Sequence, residues 1–555
     1  MSIKNCIDEL LSFNLDKKHN FSLIEDSKIT SIPQENMQKN ISNSLNDNIT
    51  LFSKIYSQKI NSDIVIRNFL LNAKGKQYNA SLIFIDGMVD SEIINRFVLT
   101  PLMHKNQTNI GNFQNSFISQ KQGLNYRTNK KINLEQSILE SLVSQNSITT
   151  ENETSKILDK INNGFTALFV DTLSVCFCIE AKGFKTRSIS KPENEIVVRG
   201  SQEAFVENIR TNTSIIRRII NNENLVIEQL EIGKITKTSV AYCYMKNIAN
   251  TSLVEEVKYR LNNVNIDSLT SSGILEQLIQ DDSNLLYPQL FATERPDRTC
   301  NNILQGRVII LVNGSPYALI APAVLVDFLS SPEDTNLQYQ YGNLARVIRC
   351  IAFFIAMFLP SFYIAITNFH QELLPTDIVF AISSMRKSIP FPIIFELLIM
   401  EISFELIREA SLRVPSPIGA TIGIIGGLIL GEAAVSANLV SPLLIIIVAM
   451  TGICSYAIPD FSLNFTIRCF RFIYTILGYT AGFLGIGFGI FINLILLSNL
   501  KSFGVSYFSP YVPVGNKNTD SSFFIKPVWK REERSSFLKT QRPKQEEKIS
   551  MKWKY

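Results

Sequence analysis

The sequence predicts an α/β (or α+β) soluble region of two subdomains followed by an α-helical transmembrane bundle. Three observations carry this. Strand-like and helix-like apolar patterns alternate through the first part of the chain. Long uncharged runs then crowd the stretch between Arg349 and Lys501. Most of the charge lies outside that stretch, although the averages of 46% hydrophobic and 19% charged residues look ordinary.

Residues 1–48 are rich in Asn, Ser, Lys and Gln and are expected to form a mobile polar arm. MSIKNCIDELLSFNLDKKHN contains no long apolar run of signal-peptide type, so the following region, residues 49–340, is expected to stay cytoplasmic. In NASLIFIDGMVD, Leu82 to Ile85 read as a strand that turns at Asp86-Gly87, and a helical pattern follows through Ile93, Ile94, Phe97 and Val98. Residues 105–130, again rich in Asn and Gln, read as a surface insertion. TALFVDTLSVCFCIEA begins a second strand-helix series that includes the helical FVENIRTNTSIIRRIINN. KITKTSVAYCYM reads as a strand, VEEVKYRLNNV as a helix, and RVIILVNGSPYALIAPAV as a hairpin turning at Asn-Gly-Ser-Pro. The series divides into two subdomains, about 49–210 and 211–340.

Eight scattered cysteines form no CxxC, and three histidines stand in unrelated contexts, so neither a metal site nor a cofactor is expected. Cys176 and Cys178 would share one face of a strand as small buried hydrophobes.

The membrane region, residues 341–498, holds four runs long enough to cross a hydrocarbon core of about 30 Å: Cys350 to Thr367, Ile418 to Ala437, Leu439 to Ile458, and Phe472 to Ser498. A fifth helix, Ile389 to Glu409, is ambiguous. Glu401, Glu405, Arg408 and Glu409 fall on one face, while Glu396 points well away. That face could be the solvated side of an interfacial helix, a water-filled path for cations, or a set of partners for arginines on neighbouring helices. Glu432 is a further intramembrane acid. Glu396, Glu401, Glu405 and Glu432 are therefore the candidate ion path. Gly419, Gly423, Gly427 and Gly431 form a small-residue stripe for helix packing, repeated by Gly478 with Gly482 and Gly485 with Gly489.

Residues 499–555 form a basic tail, with twelve Lys and Arg against five Asp and Glu. Such a tail suits an anionic leaflet better than nucleic acid. With Arg346 and Arg349 before the first span, the positive-inside rule puts both ends in the cytoplasm and requires an even number of crossings. Four are expected, with the carboxylate helix not crossing; if it crosses, five spans put the tail outside unless the long last run is a re-entrant hairpin.

Three stretches resemble the GerA family of spore germination proteins, in particular its A-type subunits. They are RSISKPENEIVVRGSQEAFVENIRTNTSIIRRII (Arg187 to Ile220), ERPDRTCNNILQGRVIILVNGSPYALIAPAVLVDFLSSPED (Glu294 to Asp334), and REASLRVPSPIGATIGIIGGLILGEAAVSANLVSP (Arg408 to Pro442), the last continuing to SYAIPDFSLNFTIRCFRF. One departure is Ser201-Gln202, where the family commonly has Pro after Arg-Gly. The resemblance implies a subunit of a nutrient-germinant receptor in the spore inner membrane. It also implies a transporter-like B-type subunit and a lipoprotein C-type subunit as partners, homo-oligomerisation into a ring around an ion path, and no enzymatic activity. Within the family-like motifs, Arg187, Glu195, Arg199, Glu294, Arg295, Asp297 and Arg298 are candidate interface residues, with Pro296 holding the last of them on a turn.

Two other classes compete. A secondary transporter usually carries more spans and internal repeats than are visible here. A membrane-anchored enzyme might use Asp86, Gly87 and Asp90, but a strand-ending turn explains them, and neither a P-loop nor a GxSxG elbow is present.

Overall fold

The computed structural model describes residues 21–26, 40–73, 76–103, 134–139, 143, 147–183, 192, 194–413, 431–512 and 523–545. Helix α1 (Leu45–Ile55) precedes a hairpin of β1 (Ile64–Ala73) and β2 (Lys76–Ile85). A helical stretch, α2, then runs through Ser91–Ile93, a wider-wound Ile94–Leu99, and Thr100–Met103. Strand β3 (Ile148–Glu151), helix α3 (Thr154–Asn162) and the hairpin of β4 (Phe165–Val170) with β5 (Cys176–Glu180) complete the first unit. Its strands lie in the order β1-β2-β4-β5-β3.

The second unit repeats the plan. Helix α4 (Ile209–Ile219) leads into β6 (Leu225–Ile232) and β7 (Thr238–Met245). Helices α5 (Thr251–Asn262) and α6 (Ser272–Ile279), strand β8 (Phe291–Thr293) and helix α7 (Pro296–Gln305) follow. The hairpin of β9 (Val308–Val312) and β10 (Ala318–Ala321) closes the order β6-β7-β9-β10-β8. The two sheets thus share one topology, a duplication that no sequence repeat reveals. Every pairing among the described strands is antiparallel, so of the two fold classes the alternation allows, the soluble region is α+β. Short hairpin turns enforce this for β1-β2, β4-β5, β6-β7 and β9-β10, because a parallel pair needs a long crossover.

The faces follow the period of two. Cys176 and Cys178 pack with α1 and α3 on one side, and Phe177 and Ile179 pack with α2 on the other. Along β7, Val240, Tyr242 and Tyr244 face α5, while Ala241, Cys243 and Met245 face α4 and α7. The sheets meet at Arg217 of α4, which is buried and donates to Asp63 at 2.7 and 2.9 Å and to Asn61 Oδ1 at 3.1 Å. Asn61 Oδ1 also accepts from Ile227 N at 3.1 Å, tying the first sheet's leading edge to β6.

Both chain ends depart from expectation. The expected arm is partly packed: Leu23 is buried, its carbonyl accepts from Lys539 Nζ at 2.6 Å, and Asn40 bridges to Glu153. Residues 1–20, 27–39 and the insertion at 105–130 lie outside the described residues. The basic tail is docked as well. Phe503, Tyr507, Phe537 and Leu538 are buried against the second unit, and Arg534 donates to Leu304 O at 2.8 Å. Net charge had hidden the apolar residues that supply this burial.

Helix α8 (Tyr339–Phe369) leaves the second unit, with Arg346 and Arg349 both on Asp334 at its root. Helix α9 (Ile393–Arg413) is the carboxylate helix. Helix α10 (Pro442–Tyr456) has 15 residues, about 22 Å at 1.5 Å per residue, so the expected span Leu439 to Ile458 is helical over less than a full hydrocarbon core. Helix α11 (Phe461–Asn499) is two legs joined at Gly482, whose φ of 59° and ψ of −140° break the helix. Of the described helices, α8 and α11 are long and apolar enough to cross a membrane.

The two legs of α11 fold back on each other. Asn493 Nδ2 donates to Tyr474 Oη at 3.1 Å, whereas a separation of 19 residues along a straight helix would span about 28 Å. Gly478 lies against the Ser361 backbone of α8, and Gly485 and Gly489 lie against Leu477 and Tyr474 of the first leg. The turn at Gly482 sits on Phe369 and His370, at the far end of α8. The return leg then brings the chain back to Tyr287, whose Oη donates to Asn493 Oδ1 at 2.9 Å. The last run is therefore a hairpin. A pair of cysteines replacing Tyr474 and Asn493, in a background lacking Cys454 and Cys469, is expected to cross-link within one chain through a short bis-maleimide. Absence of that cross-link would mean a straight helix.

Candidate functional site

The membrane carboxylates come first. Glu401 and Glu405 lie one turn apart on α9 and meet two arginines spaced by three on the first leg of α11. Glu401 Oε2 stands 2.7 Å from Arg471 Nε, and Glu405 bridges Arg471 at 2.9 Å and Arg468 at 2.5 Å. Glu401 is buried, yet neither of its oxygens makes an aligned hydrogen bond among the described residues. The 2.7 Å contact is thus a close ion pair rather than a fork. Arg408, next on the same face, donates to Ser455 Oγ at 3.3 Å and lies over the Tyr456 ring. Of the three readings of this face, arginine pairing is the arrangement seen.

Glu396 is held apart at the other end of α9. It pairs with Arg386 at 3.4 Å and accepts from Ser441 N at 3.3 Å. Glu432 is exposed. The four candidate path residues are therefore not gathered into one site. Gly431 faces Ile445 of α10, and Gly419, Gly423 and Gly427 lie outside the described residues.

The interface candidates form a second network, on the soluble side. Arg295 is fully buried and donates to Glu195 O at 3.0 Å, Ser201 O at 2.9 Å and the Asp297 carboxylate at 2.8 Å. Arg298 reaches Glu195 Oε1 at 2.6 Å and Ser330 O at 2.9 Å, and stacks on Phe291. Glu294 Oε1 accepts from the Asn194 and Glu195 amides at 2.6 and 2.9 Å. Glu195, Glu294, Arg295, Asp297 and Arg298 thus stitch the segment after the first sheet onto α7. Arg199 is exposed beside them, and Arg187 lies outside the described residues. Pro296 does not end a helix but starts one: at the first position of α7 its missing N–H costs nothing.

The supposed enzyme residues have structural duties. Asp86 pairs with Arg210, Gly87 turns with φ of 85°, and Asp90 caps α2 by accepting from Glu92 N at 2.8 Å.

The sequence reading missed further buried polar residues between the second unit and the apolar helices. Asp334, 1% exposed, holds Arg346 at 3.0 Å and Arg349 at 2.8 Å. Tyr287, Asn493 and Tyr474 form a hydrogen-bonded chain from the second unit into the hairpin. Asp460 caps α11, accepting from Leu463 N at 2.8 Å, and burial pushes its carboxyl up to about 6. Burial, then the neighbouring Asp460, push Glu276 of α6 up to about 7. The one signal available in the sequence was Arg468 and Arg471, spaced to match Glu401 and Glu405.

The family model described as Bacillus/Clostridium GerA spore germination protein matches residues 50–537. The chain belongs to the GerA family. Spore germination protein KA of Bacillus subtilis (strain 168) is 35% identical over 473 residues, covering 85% of this chain and 83% of that protein. Spore germination protein A1 of the same organism is 39% identical over 377 residues, covering 67% and 77%. The crystal structure of the N-terminal domain of the A subunit of the Bacillus megaterium spore germinant receptor GerK3 is 31% identical, covering 52% of this chain and 98% of that one, with a TM-score of 0.38. In this GerA-family chain both charged networks fall within the matched residues.

Two outcomes test the site. Arg471→Ala strands the buried Glu401 charge and is expected to cost about 3–5 kcal/mol of stability, read by thermal unfolding in detergent, with much of it recovered in Glu401→Gln/Arg471→Gln. Glu276 binds its proton more tightly folded than unfolded, where its pKa is about 4.3. The stability it contributes is complete below that value and is lost as pH rises through about 7. Glu276→Gln should therefore flatten the fall of Tm across that window, leaving the part due to Asp460. An unchanged slope would refute the assignment.

Proposed function

We propose that this chain is the A-type subunit of a spore nutrient-germinant receptor, and that copies of it associate in the spore inner membrane to form or gate an ion path that triggers germination. Its partners on this reading are a transporter-like B-type subunit and a lipoprotein C-type subunit. The sheets and the C-terminal segment lie together in the cytoplasm, and the membrane helices cross an even number of times. Family membership supports the germination role. The observations that support the gating role are two polar joints between the sheet units and the apolar helices, Asp334 to Arg346 and Arg349 and Tyr287 to Asn493, with a third between those helices, Glu401 and Glu405 to Arg468 and Arg471.

In the paired state the two carboxylates are neutralised by the hairpin and offer no free charge to a cation. Displacing the hairpin relative to α9 would unpair them and expose acidic groups to the path. A germinant signal drives that change only to the extent that it, or a partner holding it, binds the unpaired state more tightly. Glu396 and Glu432 then belong to the ends of the path rather than its latch.

A second reading has its own support. Because each carboxylate in the cluster is paired with an arginine of the same chain, the cluster can be a rigid joint in a non-conducting transducer. Planar bilayers containing the chain with its B and C partners separate the two. Germinant-dependent current, altered by Glu401→Gln/Glu405→Gln, is the expected result. No current in any combination, with the partners demonstrably bound, would leave the chain a transducer.

A further inference from the structure

Where α8 leaves the second unit, a cavity of about 210 Å³ opens between Val324–Thr335 and the C-terminal segment. Arg307, Arg346, Lys526 and Arg531 line it, and Asp327 is the only carboxylate among the lining residues. Asp327 is already held by both ends of the Arg307 guanidinium, at 2.7 and 3.0 Å. Asp334 is divided between Arg346 and Arg349. Arg346 also donates Nη1 to Phe523 O at 2.8 Å, and Arg531 donates Nε to Lys526 O at 2.7 Å. Asp334 brings one negative charge to two guanidiniums and the backbone carbonyls that orient Arg346 and Arg531 bring none, so positive charge is in excess there. Burial and the nearby positive Arg346 hold the Arg531 guanidinium below its ordinary pKa. Like charges gathered in a half-buried cavity are costly, and an anion between them removes the cost.

The cavity's position says which anion. Arg346 stands on α8 one turn before the apolar run that starts at Cys350. Exposed Phe524 and Trp529 flank the cavity on the C-terminal segment, with Trp529 edge-on to Tyr339, in the manner of an interfacial aromatic belt. Seven and eleven residues after Arg346, on the same helical face, Phe353 and Met357 line an apolar groove of about 470 Å³ between α8 and the hairpin, shared with Leu325, Leu497 and Phe508. Leu325 lies between Val324 and Val326, which line the basic cavity, so head site and groove adjoin.

We propose that this pair of cavities binds one anionic phospholipid, its phosphate held among Arg346, Arg531 and Lys526 and an acyl chain lying in the groove of Phe353 and Met357. Basic pockets on the cytoplasmic side of membrane helices suit such headgroups. The inference rests on α8 crossing the bilayer as proposed above. A lipid seated there would bridge the C-terminal segment, α8 and the hairpin, the elements through which the soluble core grips the membrane helices.

The test uses the full chain in nanodiscs of phosphatidylcholine with or without phosphatidylglycerol, read by lipid retained on native mass spectrometry and by Tm. Membrane insertion is checked first by resistance to carbonate extraction. Failure there would overturn the membrane reading and this one together. With the chain inserted, phosphatidylglycerol is expected to be retained over phosphatidylcholine and to raise Tm. Lys526→Gln/Arg531→Gln should cut that retention several-fold, with Tm in pure phosphatidylcholine unchanged, while Lys530→Gln outside the cavity leaves it intact. Equal retention of the two lipids by the unaltered chain would overturn the proposal whether or not the variants fold. So would full competition by millimolar glycerol 3-phosphate, which would make the ligand a free phosphate.

Discussion

Everything downstream of the second sheet hangs on one buried carboxylate. Asp334 lies just before α8 and takes up both Arg346 and Arg349, so the first membrane helix leaves the soluble core by a charged joint. Gly342 makes the joint possible: a side chain there would meet the Asp334 carbonyl at 2.5 Å. A buried ion pair adds little net stability over an apolar contact, but breaking one side strands a charge, so the geometry is strongly enforced. The helix cannot swing without the soluble unit following it.

The same principle recurs at each level. Arg217 with Asp63 locks the two sheets together, Arg298 with Glu195 locks the intervening segment to α7, and Arg471 with Glu401 locks α9 to the hairpin. Between these joints lie apolar contacts that slide more readily, such as Phe358 on Tyr474 or Tyr287 on Phe470. The chain is thus a series of blocks fastened to one another by largely buried ion pairs.

The hairpin in α11 shows why helix counting from apolar runs misleads. Phe472 to Ser498 is one uncharged stretch, yet Gly482 lets the backbone take a conformation closed to other residues. Close approach of the legs then relies on Gly478, Gly485 and Gly489, which remove the side chains that would hold them apart. The return leg is also what brings the C-terminal residues back to the sheets, where Ser502 Oγ donates to Gln289 O and Phe503 and Leu538 fill the core.

What the sequence determined by itself was local. Periodicity identified the β9–β10 hairpin, the shared face of Cys176 and Cys178, and the helices α4 and α5, because each depends on near neighbours along the chain. Motif texture was equally legible, and the GerA resemblance followed from it. Tertiary structure alone decided which charges meet. Glu401 and Glu405 are legible as a helical face, but whether that face sees water, lipid or arginine depends on a helix some 65 residues later. The duplicated sheet topology was hidden for a related reason: strand order is set by which edges pair across space, and hydrogen bonds between backbones carry no sequence signature. The docking of the basic C-terminal segment was hidden too, since net charge reports solvation while a few interleaved Phe and Leu side chains decide burial.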